Sequence, residues 1–407
     1  MPHPTLVRRS ARLAAIVVGA LALAVGRADA QQTPADSARG SSRELLSLRG
    51  YTQGRYGGVV HTSGDAECDD CGSASSHETG ASVRRARLVL SGDVSDRVAI
   101  YIQPELASIF SGLPSLEIRD LYADIALDAA KEFRLRVGQS KLPFGWENMQ
   151  SSSNRLAFER TTALRSAFSS ERDLAAIFYW TPVHVRARLE MLTDSGLKGA
   201  GEYGMVALGA FNGAGSSRLD FDRDVHAIAR ITYPFALRGG RFVELGLQGF
   251  SGRFVLPGDL RSSSLTDDPG PISDRRAAAS VVLYPQPFGV QAEWTVGRGP
   301  SADATTGTVR ARPLRGGYVQ AMYRHRAGRQ LVIPFVRAER FDGGEKFAVD
   351  AQRSHVRDLD TGVEWLPFAS LELTAMYTIA DRRAESIARV SDRRRTHLLQ
   401  VQAQVNY

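Results

Sequence analysis

The feature that most constrains this chain is a two-residue hydrophobic period. It recurs in segments of about ten residues, close to what a membrane-crossing strand needs. Leu399, Val401, Ala403, Val405 and Tyr407 share one parity, and Gln400, Gln402, Gln404 and Asn406 the other. Successive side chains of a strand point to opposite faces, so this stretch has one apolar and one polar side. The same alternation runs through 183–191, with His184, Arg186, Arg188 and Glu190 opposite the apolar set. It returns at 290–296, at 225–233, and at 133–137, where Arg134 and Arg136 oppose Phe133, Leu135 and Val137. Helical periodicity is scarce. Beyond the first thirty residues no run approaches the ~18 to 20 consecutive apolar residues of a membrane helix. Two classes remain: a soluble secreted β-protein, or a barrel whose apolar faces meet lipid. An aromatic closing the last strand favours the barrel, since it falls where an interfacial girdle lies.

The first residues read as an export signal. Arg8, Arg9 and Arg12 precede an uncharged apolar run over 13–25, and Ala28-Asp29-Ala30 supplies a small-x-small cleavage site. The expected organisation is a signal peptide over 1–30, a short disordered segment over 31–45, and a barrel over 46–407.

Tight links near 95–97, 128–131, 237–240, 285–287, 326–328 and 366–368 alternate with longer polar stretches at 60–81, 145–172, 212–223, 253–273 and 341–357. Short turns on one side and long loops on the other belong to outer-membrane barrels. Sixteen strands follow if 173–192 is one long strand bent at Pro182, and an even count keeps both chain ends on the periplasmic side.

The formal charge is +7, of which residues 1–30 carry +3. The remaining excess is too small to indicate a nucleic-acid partner. Of 51 basic residues only Lys131, Lys141, Lys198 and Lys346 are lysine. A GC-rich genome accounts for such a bias, and so does a lumen that needs permanent charge. Cys68 and Cys71 stand as a single C-x-x-C. With no second pair and an exported context, a loop disulfide is expected rather than a metal site. No histidine spacing, phosphate-cradling glycine motif or nucleophile elbow points to a metal, a cofactor or catalysis.

Several stretches, in order along the chain, resemble the phosphate-selective porin O and P family. They include Val83-Arg84-Arg85-Ala86-Arg87-Leu88, Arg119-Asp120-Leu121-Tyr122-Ala123-Asp124, and the run from Leu135 to Gly145. Phe211-Asn212-Gly213, Gln291-Ala292-Glu293-Trp294, Tyr318-Val319-Gln320 and Glu339-Arg340-Phe341-Asp342-Gly343 continue the series. The resemblance implies a sixteen-stranded transmembrane antiparallel barrel in the outer membrane of a Gram-negative bacterium. It also implies a homotrimer, and a third loop folded inward with basic residues at the constriction.

The third-loop position holds Arg155, Arg160, Arg165 and Arg172 against Glu147, Glu159 and Glu171, with Lys141 at its entrance. The family's phosphate specialists use lysine ladders, from which this chain departs. By parity Arg85, Arg87, Arg134, Arg136, Arg186 and Arg188 face the lumen, where guanidinium groups offer bidentate donors to phosphate or carboxylate. Arg119 shares parity with the lipid face and belongs near an interface. The expected function is a passive channel for small anions such as phosphate. The alternatives are a general or sugar-type porin, a barrel enzyme and a soluble β-protein.

Overall fold

The structure is a computed structural model that describes residues 46–63, 80–107, 116–168, 170–218, 224–387 and 393–407. The signal peptide, the whole lead-in segment over 31–45, and Cys68 with Cys71 lie outside the described residues. The described residues form one compact unit. Its strands are β1 (Ser47–Ser63), β2 (Gly80–Asp93), β3 (Val98–Glu105), β4 (Glu117–Ala126), β5 (Phe133–Lys141), β6 (Arg172–Trp180), β7 (Val206–Phe211) and β8 (His226–Ala236). They continue with β9 (Phe242–Val255), β10 (Pro271–Leu283), β11 (Phe288–Asp303), β12 (Thr308–Tyr323, carried on past Arg324 by His325–Ala327), β13 (Gln330–Gly344), β14 (Arg353–Phe368), β15 (Leu371–Glu385) and β16 (Arg394–Asn406).

Each strand pairs antiparallel with its neighbours in sequence, and β1 pairs with β16 from Tyr51↔Asn406 to Ser63↔Arg395. The sheet is thus a closed barrel of sixteen staves with no free edge. Closure satisfies the backbone groups that hydrocarbon cannot.

Alternation sorts the two faces as the sequence requires. Leu121, Leu247 and Val319 are exposed on the outside, while Gln53, Arg85, Glu244 and Asp274 are buried inside. The barrel ends differ. The near end, where β1 starts and β16 stops, has short turns, for example 94–97, 328–329 and 369–370. The far end carries the longer connections.

One near-end connection breaks this rule, and corrects the sequence reading. Residues 173–192 are not one bent strand. β6 stops at Trp180, and Val183–Asp194 forms a helix of 12 residues. Two periods overlap here: Val183, Val185, Ala187, Leu189 and Met191 alternate, but Val185, Leu189 and Leu192 also stand at i, i+4 and i+7, and these three are buried. The run of Arg, Ala, Leu, Glu and Met favours the helix. Gly196 then ends it with a positive φ of 65°, its N–H donating to the carbonyl of Thr193 at 3.1 Å. Arg119 is also displaced from its expected place. The β3–β4 register skips it between Gln103↔Asp120 and Pro104↔Ile118, so it sits in a bulge and pairs with Glu117 at 2.7 Å.

The outward Val319 is 55% exposed to what would be lipid. Val319→Arg is expected to destabilise the barrel by ~2–4 kcal/mol if that position lies near the bilayer midplane. Equilibrium unfolding in lipid vesicles checks this, and an unchanged midpoint would contradict a lipid-facing position.

Candidate functional site

The connection from β5 to β6 (142–171) folds into the barrel, and its sequence explains the direction. Leu142 and Phe144 are apolar residues at the end of a strand whose far side is water, and both are fully buried. They turn inward onto Phe211, Ile228 and Phe250 of the inner wall, joined by Phe168. Phe144 meets Phe250 edge-on at 5.0 Å and Phe168 at 5.8 Å. Each such side chain gains ~1.5–3 kcal/mol on burial. Gly145 permits the bend with φ at 79°, where a Cβ would lie 2.9 Å from Glu293 Oε1. A helical turn, Trp146–Met149, follows. The loop then crosses the lumen: Leu156 and Phe158 pack on Met322, Ile333, Phe335 and Met376 of the opposite wall.

Ion pairs fix what packing begins. Glu147 receives Arg337 at 2.8 Å. Glu171 is held by Arg160 and by Arg172, which also grips Asp120 through Nε at 2.9 Å and Nη2 at 2.8 Å. Glu159 is met by three guanidinium groups: Arg55 at 2.9 Å, Arg84 at 3.0 Å and Arg85 at 3.3 Å. Burial alone would raise the Glu159 pKa, but Arg85, Arg84, Arg55 and Arg155 outweigh it and hold the carboxyl well below its usual range. Arg155 is buried and donates to the carbonyl of Phe158 at 3.2 Å. Burial, then the nearby Arg160, push Arg155 down to about 9, so it stays cationic at neutral pH. The Arg84 side chain is 29% exposed and Glu159 31%, so this cluster opens onto water.

A second segment enters from the near end. Residues 181–205 carry the helix Val183–Asp194, whose Leu192, with Leu197, packs on Trp146, Val282 and Tyr284. The two in-folded segments meet. Gln150 donates to the Lys198 carbonyl at 2.7 Å and Asn154 to that of Gly199 at 2.8 Å. Lys198 is buried and paired with Glu364 of β14 at 2.5 Å.

The ten basic residues expected at the pore separate into three groups. Arg85, Arg87, Arg134 and Arg136 face inward from β2 and β5. Arg87 pairs with Glu105 at 2.6 Å, Arg136 forks onto Asp124 at 2.7 and 2.8 Å, and Arg134 reaches Glu202. Lys141, Arg155, Arg160 and Arg165 lie on or beside the in-folded loop. Lys141 caps the helical turn, donating to the carbonyls of Met149 and Gln150, both at 3.0 Å. Arg186 and Arg188 do not face the lumen from a strand, because their stretch is helical. Arg186 donates to carbonyls of Ala130 and Lys131, and Arg188 to that of Pro234 at 2.7 Å, so they pin the helix to the rim. Sequence reading missed Arg55, Arg84 and Lys198. Arg55 shares the parity of Tyr51 and Gln53 and was findable. Arg84 reaches inward only because the β1–β2 register shifts between Gln53 and Gly54.

A closed sixteen-stranded barrel, apolar outside, charged inside and narrowed by an in-folded loop, has the architecture of an outer-membrane porin. The comparisons agree. The family model for phosphate-selective porin O and P matches residues 60–407, and the chain belongs to that family. No curated protein matches it. Among solved structures it resembles the outer membrane channel DcaP of Acinetobacter baumannii, at 14% identity and TM-score 0.54 over 89% of this chain and 97% of that one. The anion-selective porin from Comamonas acidovorans aligns at 10% identity and TM-score 0.53 over 89% and 99%. The trimer form of OmpT, an outer membrane protein of Vibrio cholerae, aligns at 9% and 0.52 over 89% and 99%.

Because the folded pKa of Glu159 is depressed, its ion pairs stabilise the loop fully above the ordinary carboxylate range, ~4.3, and lose strength only as pH falls through the lower folded value. Steady single-channel current from pH 7 to about 5, with flicker appearing in more acid buffer, is expected. Glu159→Gln should bring that flicker to neutral pH by loosening the loop ~1.5–3 kcal/mol, the worth of a hydrogen bond to a charged group. A quiet variant channel at pH 7 would contradict the latch.

Proposed function

We propose that this porin is a passive, anion-preferring diffusion channel for small phosphate- or carboxylate-bearing solutes. The observation that carries the reading is the cluster of Arg55, Arg84, Arg85 and Arg155 around the single carboxylate Glu159, beside solvent. A ring of fixed positive charge raises the local anion concentration, and guanidinium forks donate paired hydrogen bonds to phosphate or carboxylate oxygens. Arg87, Arg134, Arg136, Lys141 and Arg160 extend positive charge along the same side of the lumen, with Asp120, Asp124, Glu105, Glu171 and Glu202 as structural counter-ions, and Arg165 adds a charge on the turn that packs against β12 and β13. The chain works without cofactor or metal chemistry. Residues 1–30 direct export to the outer membrane, and three copies assemble as a homotrimer, a state that the OmpT neighbour's description also carries.

A second reading has its own observation. The inner faces of β13 and β14 present Glu339, Asp358, Asp360 and Glu364, set against Arg337, Arg382 and Lys198. An acidic wall across from a basic one describes a general porin that passes both signs of charge.

Reversal potentials across planar bilayers under a potassium chloride gradient separate the two. The first reading expects an anion sign, and Arg84→Glu lowering the anion-to-cation permeability ratio about twofold or more, as a change in a pore-lining ring does. A cation sign for the unmodified channel overturns it; a potential near zero favours the general porin.

A further inference from the structure

The outside of the barrel carries a pattern that the channel does not use. Above the apolar band at the far end, six successive strands from β9 to β14 each present an exposed arginine: Arg253, Arg275, Arg298, Arg315, Arg340 and Arg357. Arg383 and Arg395 extend the row across β15 and β16. Parity places all of them on the outer face, in line with Ala277, Val296, Val319, Ala338 and Leu359 of the apolar band. Among the described residues of β3 to β8, no exposed arginine stands on the strands.

Register makes the row unusual. Arg275 lies directly opposite Arg298, and Arg340 directly opposite Arg357. Like charges facing each other across two strands destabilise a sheet unless an anion sits between them. Two outward carboxylates stand within the row, Asp342 opposite Arg315 and Asp381 opposite both Arg357 and Arg395, and each already holds a further arginine: Asp342 holds Arg353 and Asp381 holds Arg393. Among the described residues, Arg275, Arg298, Arg315 and Arg340 have no carboxylate within ion-pair distance, and Arg357 has only Asp381, facing it across the strand pair and held by Arg393. Around the second pair the surface is concave. A cleft of about 230 Å³ is lined by four arginines, Arg340, Arg357, Arg383 and Arg393, with His355, against two carboxylates, Asp342 and Asp381.

The geometry points to a binding belt for phosphate-bearing lipid headgroups of the leaflet at the far end, the long-loop, extracellular side. We infer that a lipid phosphate sits between each facing arginine pair, taking two bidentate forks. A soluble solute is the poorer fit, since these side chains point away from the lumen and stand immediately above the lipid-facing residues. Basic side chains at an anionic membrane surface each strengthen association, and the row supplies eight on contiguous strands.

The test uses the full-length protein in detergent and native mass spectrometry with phosphatidic acid, which carries a phosphomonoester, against phosphatidylcholine. Phosphatidic acid should be retained over phosphatidylcholine. The variant R275Q/R298Q/R340Q/R357Q should lose affinity for it by about fivefold per arginine removed. Single-channel conductance of the variant stays unchanged, which shows that the barrel has folded. Inorganic phosphate at equal concentration leaves the lipid in place. Equal retention of phosphatidic acid by variant and parent overturns the belt, as does displacement by inorganic phosphate. A variant that changes oligomeric state while keeping its lipid overturns it too, because the row is then a subunit contact. Anion selectivity measured on the same channels is a separate readout, so either conclusion can fail alone.

Discussion

The constraint on which the rest depends is that every backbone N–H and C=O inside a bilayer needs a partner within the protein. Closure of β1 onto β16 meets it, down to the last residue: the Gly50 N–H donates to the Tyr407 carbonyl at 2.6 Å and the Tyr407 N–H returns to Gly50 at 3.0 Å. Once the sheet is closed, its two faces have different solvents and alternation ceases to be optional. A one-residue slip would turn a whole strand's arginines to lipid and its leucines to water. The bulges at Arg84 and at Arg119 fall where a charge can still reach a partner.

Filling the lumen with protein raises the opposite problem, because the inward face is polar and the in-folded segments bury it. The solution is pairing, and the choice of base follows its geometry. Arginine serves where a carboxylate takes a fork, as Arg136 on Asp124 and Arg172 on Asp120 do. The three buried lysines serve as compact point donors: Lys141 to two carbonyls, Lys198 to Glu364, and Lys346 to Asp274 at 2.9 Å. The carboxylates of the third loop, which from sequence would only dilute its charge, are the latches by which the loop is held.

Strand number and face assignment were legible because each depends on a local period, whereas the inward turn after Lys141 came only with the family resemblance. Arg85, Arg87, Arg134 and Arg136 could be placed by parity alone. The helix Val183–Asp194 could not, since apolar residues at both spacings satisfy two periods, and only the tertiary contacts of Leu192 with Trp146 and Tyr284 decide between them. For the same reason the meeting of the near-end segment with the third loop was invisible: it joins Gln150 to Lys198 and Asn154 to Gly199 across the lumen. Arg84 was lost to a register shift, which leaves no mark on sequence. The distinction between Glu159 as a latch and Glu159 as a diluting charge needs three guanidinium groups drawn from two strands.

A genome-wide preference for arginine, one of the two accounts of this chain's shortage of lysine, acts on composition alone. It does not explain where the arginines stand. Inside, they are matched to carboxylates from other elements, as Arg337 is to Glu147 and Arg87 to Glu105, and the excess collects at one cluster beside the third loop. Outside, on β9 to β14, they form one row toward the far end, two pairs of them face each other, and the outward acids among them, Asp342 and Asp381, already hold Arg353 and Arg393. Random replacement would respect neither the parity of the strands nor the height of the apolar band. Two placements with opposite pairing therefore imply two separate demands on the same side chain: one for charge held in fixed geometry within a narrow polar lumen, the other for charge left open at the edge of the hydrocarbon.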